Sequence, residues 1–160
     1  MAITDFLKPA PMTRARATGQ IPFDSISRSY FLMRTLVGFL GLALPFILFF
    51  GEAVLDDASI GKRGSLSAYY HSGMRDIFVG ILAVVGILLV TYKITERNRD
   101  NLLSLIAGIA AIVTAIFPTG IPSGIKASLT PLQERLGEAN TERIHYSAAG
   151  IFIVSVGFIC

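Results

Sequence analysis

The sequence predicts an all-α protein, an integral membrane bundle of four transmembrane helices. Composition is the first reason: 52% of the 160 residues are hydrophobic and 16% are charged, where a soluble domain carries about a quarter charged residues. Distribution is the second. The apolar residues come in long unbroken blocks and not at an amphipathic period, and the mean hydropathy is +0.62. So much apolar sequence with a net charge of only +3 excludes a disordered chain. The length allows one domain.

Residues 1–30 hold Pro9, Pro11 and Pro22 among polar and basic residues. Proline fixes φ and removes a backbone donor, so this stretch reads as a tail. Asp24, Ser25 and Ser27 offer capping oxygens for the helix that follows. The first span runs over about 31–50, with Arg34 near its start and Pro45 near its far end. About twenty residues rising ~1.5 Å each cover a hydrocarbon core of ~30 Å. Arg34 can snorkel to the headgroups, and Pro45 is expected to kink the helix. The block is longer than a signal-peptide core of about 7–15 residues, although Gly51-Glu52-Ala53 offers a small-x-small tripeptide after it.

Three more spans follow, at about 75–93, 101–118 and 143–160. Arg75 and Asp76 open the second, Asp100 and Asn101 cap the third, and Pro118 stops it. In the loop before the fourth, Thr130-Pro131-Leu132-Gln133 has the form of a capping box with proline at the first helical position. A short helix is expected there, with Leu129, Leu132 and Leu136 as its apolar face and Gly137 as its stop. Thr141 is expected to cap the fourth span. That span is still apolar at Cys160, with no flanking Lys or Arg. Spans usually carry interfacial anchors, so the pattern favours a chain that continues beyond Cys160.

Lys8, Arg14, Arg16, Arg28 and Arg34 lie before or at the start of the first span, and Lys93, Arg97 and Arg99 lie in the short loop. The longer loops, 51–76 and 118–143, balance their charges or nearly so. This asymmetry puts the tail and the short loop in the cytoplasm and the long loops outside. The chain is thus expected in the inner (plasma) membrane, with a cytoplasmic N-terminus. No aromatic-interleaved basic motif accompanies the tail, so nucleic acid is not an expected partner. Cys160 is the one cysteine, which excludes an internal disulfide.

Ala107, Ala111 and Ala115 repeat every four residues on the third span. Gly80, Ala83 and Gly86 do similar work on the second, and Ser147 and Gly150 on the fourth. Small residues let helices approach closely in lipid.

Glu52, Ser67, His71, Arg75, Asp76 and His145 are expected at one level, the outer ends of spans one, two and four. Ionisable groups inside hydrocarbon are usually paired or functional. His71, His145, Asp76 and Glu52 could supply two imidazoles and two carboxylates to zinc. Against that, there is no His-Glu-x-x-His and no paired His at i, i+4, and the isolated histidines read more simply as bonded to loop backbone. Haem ligation by the two histidines is the other cofactor reading. Gly-x-Ser-x-Gly and phosphate-binding glycine loops are absent from the sequence. Asp76 reads structurally, as a carboxylate at the positive end of a helix dipole.

The segment Ser65-Leu-Ser-Ala-Tyr-Tyr-His71-Ser-Gly-Met-Arg75-Asp76-Ile-Phe-Val-Gly80 resembles one found in uncharacterised bacterial multi-pass membrane proteins. Ala115-Ile-Phe-Pro-Thr119 and His145-Tyr-Ser-Ala-Ala149 resemble the same group. This resemblance spans most of residues 31–160 and implies a membrane protein without implying an activity. More distantly, Ser67-x-x-x-His71 is similar to a motif of the membrane hydrolases that include alkaline ceramidases and progestin/adiponectin-type receptors. There Ser, Asp and three His surround zinc. Ser67 and His71 match, Asp76 would be the acid, and His145 one further histidine. Ala149 stands where its paired histidine should be, and that family has seven spans.

The expected role is a non-catalytic accessory or structural subunit of a membrane protein complex, packing through its small-residue faces against other subunits or itself. The alternative is a metal-dependent hydrolase at the outer interface, with Ser67, His71 and Asp76 as catalytic candidates.

Overall fold

A computed structural model describes residues 23–55, 64–91, 99–125 and 127–159. It is helical throughout its regular structure. Helix α1 is Phe23–Leu55, a 3-10 helix covers Leu66–His71, and α2 is Arg75–Thr91. Then come α3, Arg99–Ile116, the short α4, Pro131–Leu136, and α5, Glu138–Ile159. The tail up to residue 22 lies outside the described residues, as does most of the short loop.

Several boundaries differ from expectation. Helix α1 begins at Phe23, so Asp24, Ser25 and Ser27 lie within its first turns, and residues 23–30 belong to the helix and not to the tail. It runs through Pro45. Helix α5 begins at Glu138, directly after Gly137, whose φ of +83° ends α4. Thr141 is therefore one turn inside α5, where its hydroxyl bonds back to the Glu138 carbonyl at 2.8 Å.

Four spans were expected; among the described residues two helices, Phe31–Leu55 within α1 and Arg99–Ile116, are long and apolar enough to cross a membrane. The reasons are local. Helix α2 has 17 residues, at the short limit of a span. Helix α5 opens on Glu138, Glu142 and Arg143, which dilute its apolar run.

Helix α3 is central, packed between α2 and α5, while α1 lies against α2 and the 3-10 helix. Neighbours run antiparallel: Gly86 faces Gly108, and the Ser104 hydroxyl donates to the Leu89 carbonyl at 2.8 Å. One apolar cluster joins Leu44 and Leu48 of α1 to Tyr69, Tyr70, Met74, Phe78 and Leu82. A second joins Val85, Leu89 and Ala107. The alanine stripe is consumed here, with Ala107 and Ala111 at 0% exposure and Ala115 at 2%. Gly86 is buried beside it. Gly80, by contrast, is exposed with open space around it.

The capping box of α4 forms as the sequence predicts. Thr130 accepts from the Gln133 amide, and the Gln133 side chain accepts from the Thr130 backbone. Its inward face differs. Leu129 and Leu136 are exposed, whereas Gln133 is 1% exposed, because Gln133 has a second task at the end of α3.

Candidate functional site at the end of α3

Helix α3 stops at Ile116 because Pro118, two residues on, has no N–H to continue the ladder. A helix that ends leaves its last carbonyls without intrahelical partners. Inside an apolar bundle each such carbonyl needs a donor from elsewhere.

Four side chains from three elements supply them. Tyr70 Oη, from the 3-10 helix, donates to the Ile116 carbonyl at 3.1 Å. His145 Nδ1, from α5, bonds the Phe117 carbonyl at 2.7 Å. His71 Nε2 bonds the Thr119 carbonyl at 2.7 Å, and Gln133 Nε2, from α4, donates to that same oxygen at 3.0 Å. The Thr119 hydroxyl donates to Tyr146 Oη at 3.1 Å. Ser65 starts the 3-10 helix by accepting from the Ala68 amide, which fixes Ser67, Tyr70 and His71 against this end.

The tautomer of His145 follows from its partners. A carbonyl accepts only, so Nδ1 carries the proton. In the neutral ring Nε2 then accepts from the Ser67 hydroxyl, 2.9 Å away. This is the connectivity of a nucleophile, a base and a group that orients the base. Burial tempers it, since His145 is 0% exposed and Ser67 is half-buried. The Ala68 amide beside Ser67 is already held by Ser65 and so is not aimed at a developing oxyanion.

Next to this knot lies a polar hollow of about 220 Å³, with Ser65, Thr119, Gly120, Glu138, Glu142 and Tyr146 in its walls. Glu138 accepts from the Ile121 amide at 2.8 Å. A Cβ at Gly120 would sit 3.0 Å from the Glu142 carboxylate, so glycine lets the backbone run this close.

The structure brings Ser67, His71 and His145 to one place but does not assemble the expected ligand set. Asp76 is exposed in the first turn of α2, and Glu52 is 3% exposed on α1. Among the described residues no three His, Cys, Asp or Glu side chains gather as metal ligands do. The haem reading meets the same geometry: the two imidazoles are bonded to carbonyls two residues apart. Arg75 stacks on the Tyr70 ring, its Cζ 4.8 Å from the centroid.

Thr119, Gln133 and Tyr70 were not among the predicted site residues. The signal for them was the proline stop itself, which announces orphaned carbonyls and hence buried donors. Comparison of the chain with protein-family models, with curated proteins and with solved structures returned no match.

Proposed function

We propose that the chain is a non-catalytic accessory subunit of a membrane protein complex, its four long helices set in the inner membrane with the N-terminus cytoplasmic. The observation that carries this reading is α1. Only 17% of its most apolar window is buried within the chain, and Phe31, Phe39, Phe46 and Phe50 are each more than half exposed. Water would penalise that surface by roughly 25 cal/mol per Å², whereas lipid or a partner helix would not. The polar residues at the α3 end are engaged in closing the fold, which leaves the outward faces as the surfaces open to a partner.

The alanine stripe is internal, so the partner face lies elsewhere. Gly80 on α2 and Gly150 on α5 are exposed, and a Cβ at either would meet nothing within 4 Å. Leucine at both positions should therefore leave the melting temperature of the chain unchanged while releasing the partner from the detergent-solubilised complex. Unchanged co-purification would reject these faces as the interface.

Hydrolysis is the second reading, favoured by the Ser67–His145 contact. A fluorophosphonate probe decides it. Labelling that is lost in Ser67→Ala and in His145→Gln would establish an activated serine, and no labelling of the folded chain would remove the hydrolase.

A further inference from the structure

A groove of about 500 Å³ runs between α3 and α5. Its shape comes from side-chain size. Ala110 of α3 and Ala148 of α5, each 6% exposed, form the floor. Ile106, Ile109 and Ile144, larger and more exposed, form the rims. The α5 side runs from Arg143 to Ile151, or about 12 Å of helix. That is close to the depth of one leaflet, half of a ~30 Å hydrocarbon core.

One end of the groove is polar. Arg143 stands two residues before His145, which bonds the Phe117 carbonyl, so it lies at the height where α3 stops. Ser147, one turn further along α5, lines the same wall. Both are exposed, and among the described residues no hydrogen bond or ion pair engages the guanidinium or that hydroxyl. The acids of α5 are directed elsewhere. Glu138 is held by the Ile121 amide and, with Glu142, lines the polar hollow beside Gly120. Arg143 is the one charged residue among the described residues that line the groove.

These features select the occupant. A trough that is apolar along one leaflet, with a cation and a hydroxyl at its headgroup end, is complementary to an anionic amphiphile. The guanidinium offers a phosphate bidentate N–H donors, and its stem can follow the apolar rim. A transmembrane helix needs the full ~30 Å. Laid here it would also cover the guanidinium with apolar surface, which is costly without a counter-charge.

We infer that the groove seats an acyl chain of one anionic phospholipid whose phosphate rests on Arg143. The inference depends on the membrane reading above. It is tested on the full chain, purified in mild detergent and titrated under native mass spectrometry with phosphatidylglycerol or with phosphatidylcholine, whose choline offsets the phosphate charge. One phosphatidylglycerol should be retained with about tenfold preference, the worth of a charge-assisted contact. Arg143→Gln should bring that preference close to one. Arg135→Gln, at an exposed position on α4 outside the groove, should leave it unchanged. Ser147→Phe, also at an exposed position, fills the trough and should expel either lipid while melting stays unaltered.

Equal retention of the two lipids by the native chain, or a preference that survives Arg143→Gln, would overturn the inference. A preference lost equally on Arg135→Gln would do so too, since it would report net charge and not a site. So would a second copy or another protein held in the groove and lost on Ser147→Phe. A chain that needs detergent yet holds no lipid fails this inference alone. A chain recovered monodisperse without detergent fails the membrane reading as well.

Discussion

Leucine in place of Gly108 is expected to destabilise the protein strongly. A Cβ at this position would lie 2.7 Å from the Gly86 carbonyl oxygen, 2.7 Å from Val90 Cγ2 and 2.8 Å from the Val90 amide nitrogen. Two of those atoms are backbone, so no rotamer change relieves the contact. The converse holds at Gly86, where a Cβ would lie 2.9 Å from the Gly108 carbonyl oxygen. The two helices meet backbone to backbone here, as small residues permit in apolar surroundings. Overpacking of this kind costs typically about 1–3 kcal/mol and sometimes more. With leucine the upper end is expected, a fall of roughly 6–12 °C in melting temperature at this chain length. Gly108→Ala should show a smaller loss in the same direction, measured by thermal unfolding in detergent. Gly80→Leu, facing open space, is the control and should melt with the native chain. Native-like melting of Gly108→Leu would mean that α2 and α3 are farther apart than described.

The second large effect is expected at His145. It is among the bulkiest fully enclosed side chains of the described residues, and it holds the Phe117 carbonyl on one side and Ser67 on the other. His145→Ala removes buried volume, a change that costs about 2–5 kcal/mol for large side chains. It also leaves a buried carbonyl without its donor, about 1–3 kcal/mol in itself. A combined loss of about 3 kcal/mol or more is expected in the same melting measurement. His71→Ala supplies the contrast. His71 is half-buried, and its acceptor, the Thr119 carbonyl, keeps Gln133 as a second donor. About 1 kcal/mol is expected there. If the two variants melt alike, the end of α3 is not held as described.

Much of the helical order was legible along the chain. Apolar blocks mark α1, α2, α3 and α5, and the capping box of α4 could be read from Thr130, Pro131 and Gln133 alone, because a cap is a contact between residues three apart. Boundaries were less legible. Thr141 looked like a cap, but Gly137 had already ended α4 and allowed α5 to begin at Glu138. The pairing of Ser67 with His145 was not legible at all. Those residues are 78 positions apart, and neither carries a local pattern that names the other.

The sequence by itself determined that the chain is helical, where proline ends α3, and that small residues would let helices approach closely. Those properties rest on backbone sterics, hydrogen-bond supply and side-chain volume, which act within a few residues. Which helix receives the alanines of α3, and which donors reach its last carbonyls, only the tertiary structure decided. Both depend on how the axes are arranged, and that is set by the whole core at once. An imidazole offered by composition to a metal therefore stands, in the folded chain, as the donor that a broken helix required.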